Sequence, residues 1–315
     1  MNNIYNQLKK PFTVLAPLDD VSDVVFRQII SKCSKPDLFF TEFVNVDGLQ
    51  SIGRDKLLHK LWKTDSDNPI IAQLWGKNPD NYYKTAKQLV EMGFSGVDIN
   101  MGCPDKAVIK NGCCVALINN RELAKDIIKA TKEGVEGKIP VSVKTRLGFN
   151  DIDLTWHEFL LNQDLDALYI HGRTKKEMSL VPAHWDAIND IRILRDKISP
   201  STKIIGNGDI KNKKQANEYA MKYKLDGIMI GRGIFDDPYA FSDQSEWLNF
   251  TREQKINLFK DHLSLFISTY KNRERNQNVM KRFCKIYINN FAGAKELREQ
   301  VMVQKTLEDI LTILK

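Results

Sequence analysis

The segment Gly96-Val97-Asp98-Ile99-Asn100-Met101-Gly102-Cys103-Pro104 sets a thiol at a corner. Its first half alternates like a strand and ends on the polar Asn100. Gly102 then frees φ and Pro104 fixes the exit, so Cys103 projects into the space above the strand end. A thiol with an ordinary pKa of about 8.5 is mostly protonated at neutral pH and can serve as a general acid. Most intracellular cysteines are inert buried thiols. The Gly-Cys-Pro corner argues for display instead.

Two glycine elements add a second chemistry. Gly206-Asn207-Gly208-Asp209-Ile210 and Gly231-Arg232-Gly233 each continue a short apolar run. Backbone N–H groups at such turns, with the planar fork of Arg232, suit a phosphate. Anchored there, the rest of a cofactor would lie across the ends of the other runs, facing Gln73, Lys144 and His171. Lys144 could instead form a structural ion pair with a carboxylate. His171 could be a satisfied core histidine, but the loop Gly172-Arg173-Thr174 that follows favours a site.

These residues need a scaffold that brings strand ends together. Eight apolar runs alternate with amphipathic stretches: 13–16, 38–41, 70–74, 96–100, 140–144, 167–171, 203–207 and 227–230. Helical patterns run through Val24, Phe26 and Ile29, from about Asp80 to Met92, and around Leu123 to Glu133. Alternation of this kind indicates βα units and a parallel sheet. Eight units in about 240 residues fit a (β/α)₈ TIM barrel better than a doubly wound sheet. Six runs close on Glu42, Gln73, Asn100, Lys144, His171 and Asn207, which a barrel would gather at one mouth. From Arg252 to Leu314 the sequence reads as helical throughout. The expected architecture is α/β: a catalytic barrel over 1–245, then a small all-α helical domain over 246–315.

Composition narrows the function classes. Hydrophobic residues make up 42% and charged residues 28%, as in ordinary soluble globular proteins, and no apolar run is long enough for a membrane span. The first eleven residues lack the apolar block of a secretory signal. Five cysteines do not form a disulfide framework, so a reducing cytoplasm is the expected location. Residues 251–315 hold 13 Lys plus Arg against 7 Asp plus Glu, which is most of the net charge of +7. Such a segment is either a solvated helical surface or a seat for an anionic partner, nucleic acid first.

In order along the chain stand Ala16-Pro17-Leu18, Asp98 to Pro104, Val143-Lys144-Thr145-Arg146-Leu147-Gly148, His171-Gly172-Arg173-Thr174, Asn207-Gly208-Asp209-Ile210 and Met229-Ile230-Gly231-Arg232-Gly233. Together they resemble the tRNA-dihydrouridine synthases, from about Phe12 to Phe241 and more loosely through Lys281-Arg282 to Arg298. Within that family, Thr41-Glu42-Phe43 is similar to the bacterial enzymes acting on the D-loop, with the C-type branch as the expectation. Asn-x-Gly-Cys-Pro is the most specific element of the set.

The resemblance implies an FMN-dependent reduction of the C5=C6 bond of a tRNA uridine, with NADPH as reductant. By the same analogy Ala16, Pro17, Leu18, Gln73, Lys144, His171, Asn207, Gly208, Asp209, Gly231 and Arg232 hold FMN. Hydride passes from reduced FMN to C6, and Cys103 gives the proton to C5. Asn100 and Arg146 contact the uracil or its nucleotide, and a strand-end Lys144 suits the anionic reduced flavin. The target base has to leave its stack to reach the pocket. Lys271, Arg273, Arg275, Lys281, Arg282, Lys285 and Arg298 become candidate contacts to the tRNA backbone. No metal, membrane or obligate protein partner is implied, and a monomer is expected.

Three places depart from the family pattern. Asn111-Gly112-Cys113-Cys114 carries thiols where small residues are usual, and with Cys103 they match no zinc spacing. Leu18-Asp19-Asp20 and Met178-Ser179-Leu180-Val181 replace the usual residues of their loops. Two other functions remain open on the sequence: an FMN barrel reducing a free pyrimidine or other small enone, and a tRNA-binding or folding module with dispensable redox chemistry.

Overall fold

In the computed structural model, which describes residues 3–271 and 274–314, the apolar runs form eight parallel strands. They are β1 (Phe12–Leu15), β2 (Phe39–Asn45), β3 (Ile70–Trp75), β4 (Gly96–Met101), β5 (Val141–Arg146), β6 (Ala167–His171), β7 (Lys203–Asn207) and β8 (Gly227–Ile230). The hydrogen-bonded order β1-β8-β7-β6-β5-β4-β3-β2 leaves β1 and β2 at the ends of the sheet. Leu38 joins those ends: its amide donates to the Thr13 carbonyl and its carbonyl accepts from the Leu15 amide, both at 3.1 Å. The sheet is a closed barrel.

Strand alternation sorts the side chains into two cores. Val14, Phe40, Ile71, Tyr169, Ile205 and Met229 fill the barrel interior, with Tyr5 plugging its lower end. Their neighbours Leu15, Phe39, Ala72, Leu168, Ile204 and Ile228 face outward under the helices. The inward parity continues to the strand ends. It therefore carries Gln73, Asn100, Lys144, His171 and Asn207 to the upper end of the interior, the mouth that the sequence reading expected. β2 and β5 run further than expected, to Asn45 and Arg146. In β2 a register shift between Phe40 and Phe43 inserts Thr41 and Glu42 as a bulge.

The helices follow the strands. α1 (Val24–Ser34) and α2 (Val46–Leu49) follow β1 and β2, and α3 (Pro79–Glu91) follows β3. α4 (Lys106–Lys110) and α5 (Arg121–Val135) follow β4. α6 (Leu154–Leu161), α7 (Trp185–Ile198), α8 (Lys213–Tyr223) and α9 (Gly233–Asp236) follow β5 to β8. Side-chain caps fix where several begin: Asp23, Asn120, Asp153 and Asn212 each accept an amide of the first turn.

Among the described residues the C-terminal segment forms four α-helices: α10 (Arg252–Thr269), α11 (Met280–Tyr287), α12 (Ala294–Val303) and α13 (Leu307–Ile313). Gly293, at φ +78°, breaks the chain before α12, and the Thr306–Asp309 capping box starts α13 afresh. α10 and α11 pack on α1. The Phe26 ring lies 5.2 Å from Phe283 and 5.9 Å from His262, and all three are buried. Burying a side chain like Phe26 contributes about 1.5–3 kcal/mol, so the seam stabilises both sides.

Candidate active site

A cleft of about 800 Å³ opens at the mouth, ample for a ring system with a phosphate tail. Ala16, Pro17 and Leu18 form one wall. Lys144, Arg146 and His171 line it from β5 and β6, and Asn207, Gly208, Asp209, Gly231 and Arg232 close the far end.

The far end has the makings of an anion cradle. A Cβ on Gly231 would meet nothing nearer than 3.8 Å, so glycine leaves that backbone open to the cleft. Gly233 is required for another reason: its Cβ would stand 2.6 Å from the Ile210 carbonyl, so only glycine lets the β8 loop close on the β7 loop. The Asp209 carboxylate would repel an anion, but it is turned to Arg173, 2.6 and 2.5 Å from Nη2, with Arg232 at 3.6 Å. The Arg232 side chain is 63% exposed toward the opening. Lys211 also lines this end.

Lys144 makes no hydrogen bond or ion pair with any described residue. Burial, reinforced by the Arg146 charge, brings its ammonium down to about 8. His171 lies among Arg146, Lys144, Arg173 and Arg232; burial and those charges push its imidazole well below the usual range. It is neutral, and its Nε2 faces Arg173 Nη1 at 3.2 Å. Arginine can only donate, so Nε2 accepts and the ring proton sits on Nδ1.

Gln73 does not line the cleft. It is fully buried, its Nε2 donating to Asp98 at 2.7 Å and its Oε1 accepting from Asn100 Nδ2 at 3.0 Å. Asp98 also accepts from Ser142 Oγ at 2.6 Å, and burial raises its carboxyl to about 7. The line of bonds ends at the cysteine corner, where Asn100 Oδ1 accepts the amides of Gly102 and Cys103, both at 3.0 Å. The Asn100 side chain is thus committed to holding the turn. Arg146 clamps the same corner, Nε donating to the Gly102 carbonyl at 2.9 Å and Nη1 to the Thr174 and Met178 carbonyls. Its Nη2 has no partner among the described residues.

Cys103 is half-buried and opens onto a cavity of about 280 Å³ walled by Phe43, Asn45, Lys60 and Trp75. A hydrogen bond from the Cys114 thiol, partly opposed by burial, brings Cys103 down to about 7. Burial pushes Cys114 well above the usual thiol range, which keeps it the donor of that bond. Trp75, Phe43, Lys60, Lys211 and Phe235 escaped the sequence reading. Trp75 closes β3 and Phe43 lies in β2 past its bulge, while Lys60, Lys211 and Phe235 stand on connecting segments, where loop geometry and not strand parity decides direction.

The basic residues of the C-terminal helices divide. Arg275 is buried, paired with Glu42 at 2.7 Å and Asp23 at 3.4 Å, and takes no place on the surface. Lys281 donates to the Met302 and Gln304 carbonyls, and Arg298 to the Ile288 carbonyl at 2.6 Å, each closing a helix end. Arg282 is 64% exposed and bridges to Asp20 at 3.3 Å beside the mouth. Lys271 and Lys285 are exposed, and Arg273 lies outside the described residues. No described helix is long and apolar enough to cross a membrane.

Known proteins resemble this chain at two levels. Residues 14–314 match the family model described as dihydrouridine synthase. The chain is 42% identical over 315 residues to a "Probable tRNA-dihydrouridine synthase" of Staphylococcus aureus, covering 99% of this chain and 94% of that one. It is 42% identical over 316 residues to "Probable tRNA-dihydrouridine synthase 2" of Bacillus subtilis, covering 99% and 95%. Among solved structures, morphinone reductase superposes with a TM-score of 0.52 at 11% identity, over 73% of this chain and 84% of that one. At that identity the likeness concerns the barrel fold alone.

Proposed function

Because the chain belongs to the dihydrouridine synthase family, we propose that it reduces the C5=C6 bond of a uridine in tRNA, in a flavin site at the barrel mouth. The observation that carries this reading is Lys144: a largely desolvated cation, without a direct ion-pair partner, on the floor of a cleft with a glycine-built anion cradle at one end. Asp98 acts on this cation without making an ion pair with it, and a buried cation in such a place is costly unless a ligand supplies further negative charge.

When bound, FMN would supply the hydride for C6, with NADPH as the source of its electrons. Gly208, Gly231 and Arg232 would hold the phosphate, and Ala16, Pro17, Leu18, Lys144, His171, Asn207 and Asp209 the remainder. Gln73 would act from behind, by orienting Asn100.

Cys103 keeps the proton destined for C5 on Sγ, and Asn100 fixes where that sulfur stands by holding its backbone. Arg146 presents Nη2 to an oxygen of the uracil or its nucleotide, and the neutral His171 offers a donor at Nδ1. The target base has to leave its stack to enter. Lys271, Arg282 and Lys285 on the helical segment would hold the tRNA backbone without reading its sequence, as two units of the chain, 1–245 and 246–315, acting on one substrate.

The test is direct. Purified protein should bind FMN and, with NADPH, form dihydrouridine in tRNA lacking it, while Cys103→Ala binds FMN and tRNA but loses turnover. A colourless protein that FMN neither binds nor stabilises overturns the reading. Turnover of a free pyrimidine without tRNA would replace it with the small-enone alternative.

A further inference from the structure

The loop between β6 and α7 carries two apolar side chains that the chemistry proposed above does not use. Leu180 is 86% exposed there and Met178 is 41% exposed, so Leu180 buries almost nothing within the protein. A single exposed leucine is ordinary on a protein surface. This one is held firmly. Its amide donates to the Glu177 carbonyl at 3.0 Å. The carbonyls on either side, of Met178 and Val181, accept from Arg146 Nη1 at 2.9 Å and from Arg173 Nε, and both arginines are buried. The Glu177 carboxylate bonds the Thr174 amide and His184 Nε2, both at 2.8 Å. Lys175 and Lys176 pin the start of the loop, their amides donating to the Gly148 and Phe149 carbonyls at 2.9 Å. Arg146 also donates Nε to the Gly102 carbonyl, so one side chain ties the Leu180 tip to the corner that carries Cys103. Ser179, beside Leu180 in the chain, lines the cleft.

We propose that Leu180 is a wedge: when the target uridine leaves its stack to enter the mouth, Leu180 fills the gap between the neighbouring bases of the tRNA. The inference rests on the function proposed above and adds how the opened substrate is held. A base that has left the stack exposes the apolar faces of its neighbours to water. An apolar side chain entering that gap covers those faces and opposes the return of the base. Such a side chain has to stand at the rim of the pocket that the base enters. It has to be apolar and uncommitted in the protein alone. It also has to be fixed in place, so that insertion loses little conformational entropy. Leu180 meets all three conditions. The surroundings favour nucleic acid over a protein as the occupant, since Lys176 on the same loop and Lys211 on the cleft are exposed where a phosphate backbone could meet them.

The experiment compares the full-length, FMN-loaded parent with Leu180→Ala and Leu180→Phe. Because Leu180 packs against almost nothing, neither substitution removes support from the fold. Flavin reduction by NADPH is measured without tRNA, and dihydrouridine formation is measured at saturating tRNA. A third measurement uses tRNA carrying 2-aminopurine beside the uridine that the parent reduces, whose fluorescence rises when its stack opens. In Leu180→Ala, turnover on tRNA should fall by about tenfold, the order expected when an apolar contact of this size is lost from the opened state. Flavin reduction should stay at the parent rate, and the fluorescence rise on binding should be lost. Leu180→Phe, which keeps an apolar side chain of sufficient size, should retain both turnover and fluorescence rise. Unchanged turnover in Leu180→Ala, a fluorescence rise equal to that of the parent, or an equal loss in flavin reduction overturns the wedge and leaves the function in place. A parent that reduces no uridine in tRNA overturns the function itself, and the wedge with it.

Discussion

The Asn100 side-chain oxygen lies 3.0 Å from the Cys103 amide nitrogen and accepts its hydrogen, as it does that of Gly102. One side chain therefore fixes the backbone under the thiol. Asn100→Ala leaves both amides unpaired in a buried setting, at a cost of about 1–3 kcal/mol each, and frees the corner to shift. A displacement of about 1 Å at a reacting group costs on the order of 100-fold in rate. The expected outcome in steady-state assays is a fall of that order in turnover, with FMN affinity unchanged, since Asn100 does not line the cofactor cleft.

That same residue marks how far the sequence could be read. The eight strands, their polar ends and the glycine elements were legible because strand parity and turn chemistry are local. Parity carries Lys144, His171 and Asn207 to the mouth directly. Gln73 and Asn100 share that parity, yet they bond to one another and to Asp98 below the cleft, and pairing across strands has no local signature. Arg275 was misplaced for a like reason. Its burial depends on Glu42 and Asp23, more than two hundred residues away, and a charge count cannot distinguish an inward arginine from an outward one. The effect of Cys114 on the Cys103 thiol likewise needs the fold of the intervening loop.

The pH dependence of turnover should follow Cys103. The acid is competent only when protonated, and the Cys114 hydrogen bond brings it to about 7. Activity should be full below that value and fall as pH rises through it. Cys114→Ala removes the donor, favouring the thiol, so the descending limb should move upward toward the ordinary thiol range. A pH–rate profile of the chemical step for both proteins checks this; an unmoved limb would show that Cys114 does not tune the acid.

Asp98 gives a stability test with a defined sign. Burial raises its folded-state pKa to about 7, above that of the unfolded chain. The folded protein then holds the proton more tightly, so the contribution is fully present below about pH 4 and is lost as pH rises through about 7. In Asp98→Asn this pH dependence disappears. The stability difference between parent and variant, measured by urea unfolding, should shift against the parent by on the order of 4 kcal/mol over that interval.

The two arginines near Asp20 should separate structure from substrate binding. Arg275 is paired with Glu42 and Asp23, all nearly inaccessible, and Tyr270 donates to Asp23 at 3.2 Å. Arg275→Met leaves two carboxylates buried without their cation, and breaking such a pair costs about 3–5 kcal/mol. Arg282 sits at the surface with a single exposed partner, a contact worth at most about 1 kcal/mol to folding. On a tRNA phosphate it contributes differently: its loss weakens binding and lowers the slope of affinity against salt by about 1. Urea unfolding should therefore single out Arg275→Met, and tRNA binding titrated across salt concentrations should single out Arg282→Ala. Equal salt slopes for Arg282→Ala and the parent would remove Arg282 from the tRNA surface and leave Lys271 and Lys285 to carry it.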